Sequence, residues 1–297
     1  DNSDGRHGWT VAEPMSEAEL TAGELVADRY RIEHCVGAGA FGRVYKAHDS
    51  HVDAPVAIKL LAPRVATARE ELAERFRLEM RIHARLNSPH VLRVSDWGDL
   101  GPGRPYIVSP WISGVSVWDV ISAHGRMRAT DVARMAMGAL RALKVAHAAG
   151  VVHRDIKPSN ILLTAPTAHD HPSAVLVDFG IAKVLDGLSP FAPGVVTRGN
   201  VVFCTPGYAA PEVRLGAPSF ASDLFSLGVT MAHALDGELP EGVVTPREKP
   251  RRFVDFDTPV VLGPTAEASE LAPVIRAAVA KPLRERFASA DEMLAAL

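Results

Sequence analysis

The stretch His153-Arg154-Asp155-Ile156-Lys157-Pro158-Ser159-Asn160, with Asp178-Phe179-Gly180 soon after it, sets an acid, a lysine, an amide and a second acid in one strand-loop-strand segment. Apolar runs frame it: Val151-Val152, Ile161 to Leu163, and Val175 to Val177. Transfer of a phosphoryl group to a hydroxyl needs such a set: a carboxylate to receive the hydroxyl proton, a cation for the moving charge, and oxygens to hold magnesium. Asp155, Lys157, and the pair Asn160 with Asp178 meet those needs. A lone Asp-Phe-Gly arises often by chance, and His-Arg-Asp alone reads as a turn with a solvated charge pair. Found together, in this order and followed by Ala210-Pro211-Glu212, they leave chance on the order of one per cent or less.

The whole chain is compatible with that chemistry. Its 297 residues suffice for two modest lobes or one large domain. Apolar residues make up 47%, charged residues 23%, and the net charge is -3, ordinary values that suggest neither a nucleic-acid binder nor a disordered chain. Two cysteines, Cys35 and Cys204, are too few for a disulfide framework or a zinc site, so a reducing, cytoplasmic setting is the default expectation. The most apolar candidate for a membrane span, 132–152, is broken by Arg134, Arg141 and Lys144. The chain starts at Asp1 and is expected to be a piece of a longer protein.

Residues 1–28 are rich in Asp, Glu, Gly and Ala and read as a flexible lead-in, with a short helix over 16–25 and a lone Trp9. From Tyr30 the pattern alternates to Val36, passes through Gly37-Ala38-Gly39-Ala40-Phe41-Gly42, and resumes as a strand from Arg43 to His48. Glycines at this spacing let backbone amides approach phosphate oxygens. A dinucleotide-binding fold uses the same spacing but puts a helix after the glycines, where this chain has Val44-Tyr45-Lys46-Ala47. Pro55 to Leu61 is a buried strand with one lysine, Lys59, which needs a partner. The run 66–86 is helical, and Leu72, Phe76, Glu79, His83 and Leu86 share a face. Glu79 in that stripe pairs with Lys59, or at helical spacing with Arg75.

Taken together, these motifs resemble those of the eukaryotic-like serine/threonine protein kinases over residues 30–297. The resemblance implies an α+β, bilobal protein kinase fold: a flexible extension over 1–29, a β-rich N-lobe with one regulatory helix over 30–109, and a mainly helical C-lobe over 110–297. It implies ATP with Mg2+, Mn2+ being an acceptable substitute, and protein substrates with Ser or Thr acceptors. The glycine loop (Gly37, Gly39, Gly42) would cover the phosphates, with Val36, Val44, Ala57 and Leu162 around the adenine and Phe41 capping the loop tip. Ser109 would be a small gatekeeper that leaves a back pocket open. Pro110 would offer its carbonyl and Ile112 both backbone groups to the base. Lys59 would contact phosphates and Glu79. Asp155 would be the catalytic base beside Lys157, with Asn160 and Asp178 as metal ligands.

The remaining expectations follow the chain. Val91 to Trp97 and Pro105 to Trp111 read as strands joined by a Gly-Pro-Gly turn, which with the earlier strands gives five. Thr130-Asp131 starts a helix whose buried stripe is Val132, Met135, Ala136, Ala139, Leu140 and Leu143, and Gly150 stops it. His169 and His171 belong to a solvated hairpin tip. Residues 181–200 resemble an activation loop, with Thr197 the first choice of phosphosite, Ser189 the second, and Arg154 the phosphate's partner. Autophosphorylation there suggests a transient dimer. Residues 204–212 resemble the segment that docks the substrate, with Thr205 beside the acceptor and Cys204 where glycine is usual. Glu212 would pair with Arg286, and Asp223 would brace the catalytic loop. Lys157 and Thr205 match the serine/threonine branch, and the wording looks bacterial. Two rival readings stand: a pseudokinase acting as an ATP-sensing scaffold, which usually lacks one of Lys59, Asp155 and Asp178, and a small-molecule kinase of related fold.

Overall fold

The computed structural model describes residues 19–39, 42–61, 80–101, 104–164, 174–179, 205, 207–243 and 258–297. The first half is built on a six-stranded antiparallel sheet. Its strands are β1 (Leu25–Val26), β2 (Tyr30–Gly39), β3 (Gly42–Asp49), β4 (Ala54–Leu61), β5 (Asp96–Asp99) and β6 (Pro105–Pro110), in the order β1-β2-β3-β4-β6-β5. The alternation in the sequence assigns the two faces. One face carries Ile32, Tyr45, Ala47, Val56, Ile58, Leu60, Tyr106 and Val108 into a compact apolar cluster. On the other, Val44 lies opposite Lys59, Lys59 opposite Ile107, and Ala57 opposite Ser109, so these side chains point together toward the second half of the molecule.

Three expectations are corrected here. The lead-in does not stay outside: Leu20 and Val26 are buried in the small cluster, and Gly23 and Glu24 bond to Ile32, so residues 19–24 turn and β1 pairs with β2 where a helix was expected. These two apolar residues dock residues 19–26 onto the sheet, which begins before residue 30. The strand expected over 91–97 starts at Asp96, because the amide of Leu92 bonds Leu176 O and Val91 and Val94 are buried in the larger core. The sheet therefore has six strands, one more than expected. Of the helix expected over 66–86, the described part is helical at 80–83, with Met80, His83 and Leu86 buried.

The second half follows a small sheet, β7 (Gly114–Ser116), β8 (Ile161–Thr164) and β9 (Ala174–Leu176), in that order. Helices α1 (Val117–His124) and α2 (Ala129–Ala148) come next. The cap of α2 is Arg128, two residues before the expected Thr130, and Gly150 ends the turn after it at φ 78°. All six predicted stripe residues of α2 are buried. Beyond lie α3 (Pro211–Arg214), α4 (Phe220–Asp236), α5 (Pro264–Glu267), α6 (Ala272–Ala278) and α7 (Ala290–Ala296). Among the described residues no helix is long and apolar enough to cross a membrane.

Candidate active site

The loop 153–160 hangs between α2 and β8, and its backbone is pinned from below by one carboxylate. Asp223, in the first turn of α4, accepts from the amides of His153 and Arg154, both at 2.8 Å, and from His147 Nε2 at 2.9 Å. Burial alone would raise the pKa of this carboxyl; the His147 hydrogen bond, the nearby imidazoles and the His153 amide outweigh it and hold the group below its usual value. This anchoring lets Arg154 keep a left-handed φ of 66°, an unusual conformation for a side-chain-bearing residue.

His153 then sets the loop against the next strand. Its Nε2 donates to Val177 O at 3.0 Å, which leaves Nδ1 to accept the Asp155 amide at 3.3 Å. Val177 N bonds Asn160 O at 3.0 Å, so the loop and the 177–179 segment are tied on both sides of one residue. Around Asp155 the polar atoms close into a cluster. Asn160 Nδ2 donates to Asp155 O at 2.8 Å and to Asp155 Oδ2 at 3.0 Å. Thr205 Oγ1 donates to Asp155 Oδ1 at 2.8 Å, and Lys157 Nζ lies 2.9 Å from both Asp155 Oδ2 and Thr205 Oγ1.

Asp178 projects from a left-handed residue with φ 57°, and its Oδ1 pairs with Lys59 Nζ at 2.8 Å. The structure thus brings Lys59 to Asp178, a pair the sequence reading did not foresee; Glu79, its expected partner, lies outside the described residues. Asn160 spends its amide nitrogen on Asp155, and its side-chain oxygen accepts only a long hydrogen bond from Ser159 Oγ at 3.5 Å among the described residues. That oxygen and the half-exposed carboxylate of Asp178 are hard donors of the kind a magnesium ion takes, so these two residues fit the implied metal.

The pocket wall comes from the inward face of the sheet. Val44, Ala57, Lys59, Ser109 and Asp178 line one cavity of about 70 Å³. It extends behind Ser109 to Leu61, Ile107 and Phe179, as a small side chain at 109 implies. Val36 on β2 is half exposed, Leu162 lies on β8, and Pro110 and Ile112 lie at the connection between the halves. Gly42 has no room for a side chain: a Cβ there would sit 2.0 Å from Leu60 O, at a φ of 134°. Gly37 and Gly39 pair with Val44 and Gly42 in the hairpin, whose tip with Phe41 is outside the described residues. So are Thr197, Ser189, Cys204, His169 and His171.

Two features escaped the sequence reading. Phe179 sits between two imidazoles, with ring centroids 4.4 Å from His153 and 5.2 Å from His83. Burial, and then the neighbouring His153, bring the His83 pKa down to about 4. The second feature is the role of His147 as a donor to Asp223. Neither is visible to a spacing rule, because each joins elements far apart in the chain. The expected Glu212–Arg286 pair is present, bidentate at 2.6 and 3.0 Å and further held by Ser222 Oγ at 2.7 Å.

Comparison with known proteins agrees with this geometry. Residues 30–256 match the family described as the protein kinase domain. The serine/threonine-protein kinase PknA of Mycobacterium tuberculosis is 39% identical over 223 residues, covering 73% of this chain and 49% of the relative. The probable serine/threonine-protein kinase PknB of Corynebacterium glutamicum is 30% identical over 286 residues, 92% of this chain and 42% of that protein. The chain thus spans about half the length of the curated relatives it matches. The crystal structure of the PknI kinase domain of M. tuberculosis superposes with a TM-score of 0.71 at 26% identity, covering 94% of this chain and 98% of that one. The chain belongs to the protein kinase family, beside bacterial serine/threonine kinases.

Proposed function

We propose that the chain transfers the γ-phosphoryl group of ATP to Ser or Thr hydroxyls of proteins. The observation that carries the reading is the closed cluster of Asp155, Asn160, Lys157 and Thr205, joined through Val177 to the Asp178–Lys59 pair. In that arrangement a hydroxyl entering beside Thr205 meets Asp155, which orients it and takes its proton at a carboxylate oxygen. Lys157, already within reach of Asp155, offsets charge as it moves off the phosphoryl group. Lys59 holds nucleotide phosphates beneath the Gly37, Gly39 and Gly42 hairpin. Val36, Val44, Ala57 and Leu162 enclose the base, with the backbone of Pro110 and Ile112 at its edge. Asn160 and Asp178 would hold the magnesium ion, which supplies neutralisation of the phosphate oxygens. Most of the acceleration comes from positioning and fixed charge, since no covalent intermediate is needed.

The acceptor in the chain's own loop is Thr197, phosphorylated in trans within a transient dimer, with Arg154 as its partner and Glu79 joining Lys59 in the phosphorylated state. The test is mass spectrometry of the purified protein after incubation with Mg-ATP, beside an Asp155→Asn control. New phosphate on Thr197 or neighbouring hydroxyls, reduced at least ~100-fold in rate in the control, is the expected result. ATP binding with no phosphate on the chain or on an added protein substrate would favour the scaffold instead.

A further inference from the structure

A second cleft lies on the far side of β8 from the site. It encloses about 400 Å³ between α1, α2 and Leu163. Its floor is apolar: Val120 from α1, Met127 from the connecting turn, Met135 from α2 and Leu163. Among the described residues its rim is basic, with Arg126, Arg128 and Arg134 against one carboxylate, Asp131. Asp131 takes Arg128 at 2.7 Å and lies 3.7 Å from Arg134, while Arg126 reaches Thr265 at 3.2 Å. The rim therefore carries a surplus of positive charge on a chain whose net charge is -3.

The two surfaces select a ligand between them. A simple inorganic anion would satisfy the guanidinium groups and leave the floor wet, and an apolar ligand would ignore the rim. The spacing decides further. Six residue steps lead from the cap Arg128 to Arg134 on the helix, roughly 9 Å along the axis. One carboxylate cannot span that, whereas acids two apart share a face of an extended chain roughly 7 Å from one another, within reach of two long guanidinium side chains. Arg128 and Arg134 are exposed over 81% and 49% of their side chains, which suits the solvated rim of a transient peptide site. Methionines in the floor adapt to differing apolar anchors.

We propose that this cleft docks an acidic, extended segment of a partner protein, one apolar side chain entering between Met127 and Met135 and flanking acids meeting the arginines. The choice of a protein partner rests on the kinase reading above. Period-two alternation puts Leu163 and Leu162 on opposite faces of β8, so a docked segment lies behind the nucleotide floor and leaves the acceptor site free.

The experiment is fluorescence anisotropy of a labelled Gly-Asp-Leu-Glu-Asp-Leu-Gly peptide without ATP, which makes the result independent of transfer activity. Wild type is compared with Arg126→Glu/Arg134→Glu and with the milder Arg134→Ala. Binding should weaken at least ~10-fold in the double variant, less in the single one, and fall as salt rises. The double variant's unfolding midpoint serves as the folding control. In a second arm, the same sequence is appended through a Gly-Ser linker to a Thr acceptor peptide. It should lower KM ~10-fold with kcat unchanged, in wild type only. Equal binding by wild type and double variant, or equal binding of a peptide with lysines in place of the acids, would overturn the proposal. So would binding of decanoate with none of the peptide, which would assign the cleft to a small amphiphilic acid.

Discussion

His83 is the residue whose behaviour departs most from its position in the sequence. An imidazole buried against Phe179, with no hydrogen bond among the described residues, is stable only while neutral. The sign follows from its pKa of about 4 here against 6.5 when exposed. The unfolded chain binds the proton first, so the contribution is complete above pH 6.5 and is lost as pH falls toward 4. Its full size is on the order of 3 kcal/mol. His83→Leu should therefore flatten the decline of the urea midpoint between pH 7 and 4.5 relative to wild type; parallel declines would show that His83 does not titrate on unfolding. Ser109 makes a separate claim at the same scale. Ser109→Met should fill the cavity behind it, leaving use of ATP within a few-fold and abolishing any use of an ATP analogue with a benzyl group on N6. A wild-type enzyme that rejects that analogue would mean the cavity is closed to nucleotides.

Among the elements, α3 and the segment after α6 are joined by a buried pair. Arg286, over the ring of Phe225 at 4.8 Å, gives two hydrogen bonds to Glu212 and another to Lys281 O. Arg286→Leu leaves the carboxylate buried with Ser222 as its remaining partner among the described residues, a change that costs about 3–5 kcal/mol. Denaturant unfolding should show that loss, and Glu212→Gln, which retains an acceptor oxygen, should lose less. Equal losses would place the cost in packing. Such pairs were legible through the resemblance to the kinase family, carried by short motifs: Glu212 after Ala210-Pro211, Asp223 in a helix start, Asp155 to Asn160 in one loop. The strands read over 30–36 and 43–48 were legible from alternation and that over 55–61 from its apolar run, and each is observed one to three residues longer. The pattern failed where an apolar run served another surface. Val91 and Val94 look like residues of one strand, but Val91 bridges Leu176 and both bury in the larger cluster, and Leu20 and Val26 look like tail residues but fill the outer cluster. The stacking of Phe179 between His83 and His153, and the cleft below β8, join residues whose spacing carries no signal.

For the molecule as a whole, the two apolar clusters imply two units of unequal stability. The larger takes in Leu61, Met80, Val94 and Ile107 from the first half and runs through α2 and α4, whereas the smaller lies on the outer face of the six-stranded sheet alone. Sub-global opening should therefore begin in the sheet, where fewer buried contacts oppose it. Ile58, fully buried in the smaller cluster, tests this. Truncation to alanine costs about 2–4 kcal/mol, enough to speed amide exchange by roughly 30-fold or more in any segment that opens with it. Ile58→Ala should raise exchange in β2, β3 and β4 by that factor and leave α2 and α4 near the wild-type rate. A non-hydrolysable ATP analogue, which would contact Lys59 from one half and Asp178 from the other, should slow the sheet again in the variant. Equal acceleration in α2 and α4 would show instead that the protein opens as one cooperative unit, with the nucleotide acting on all of it.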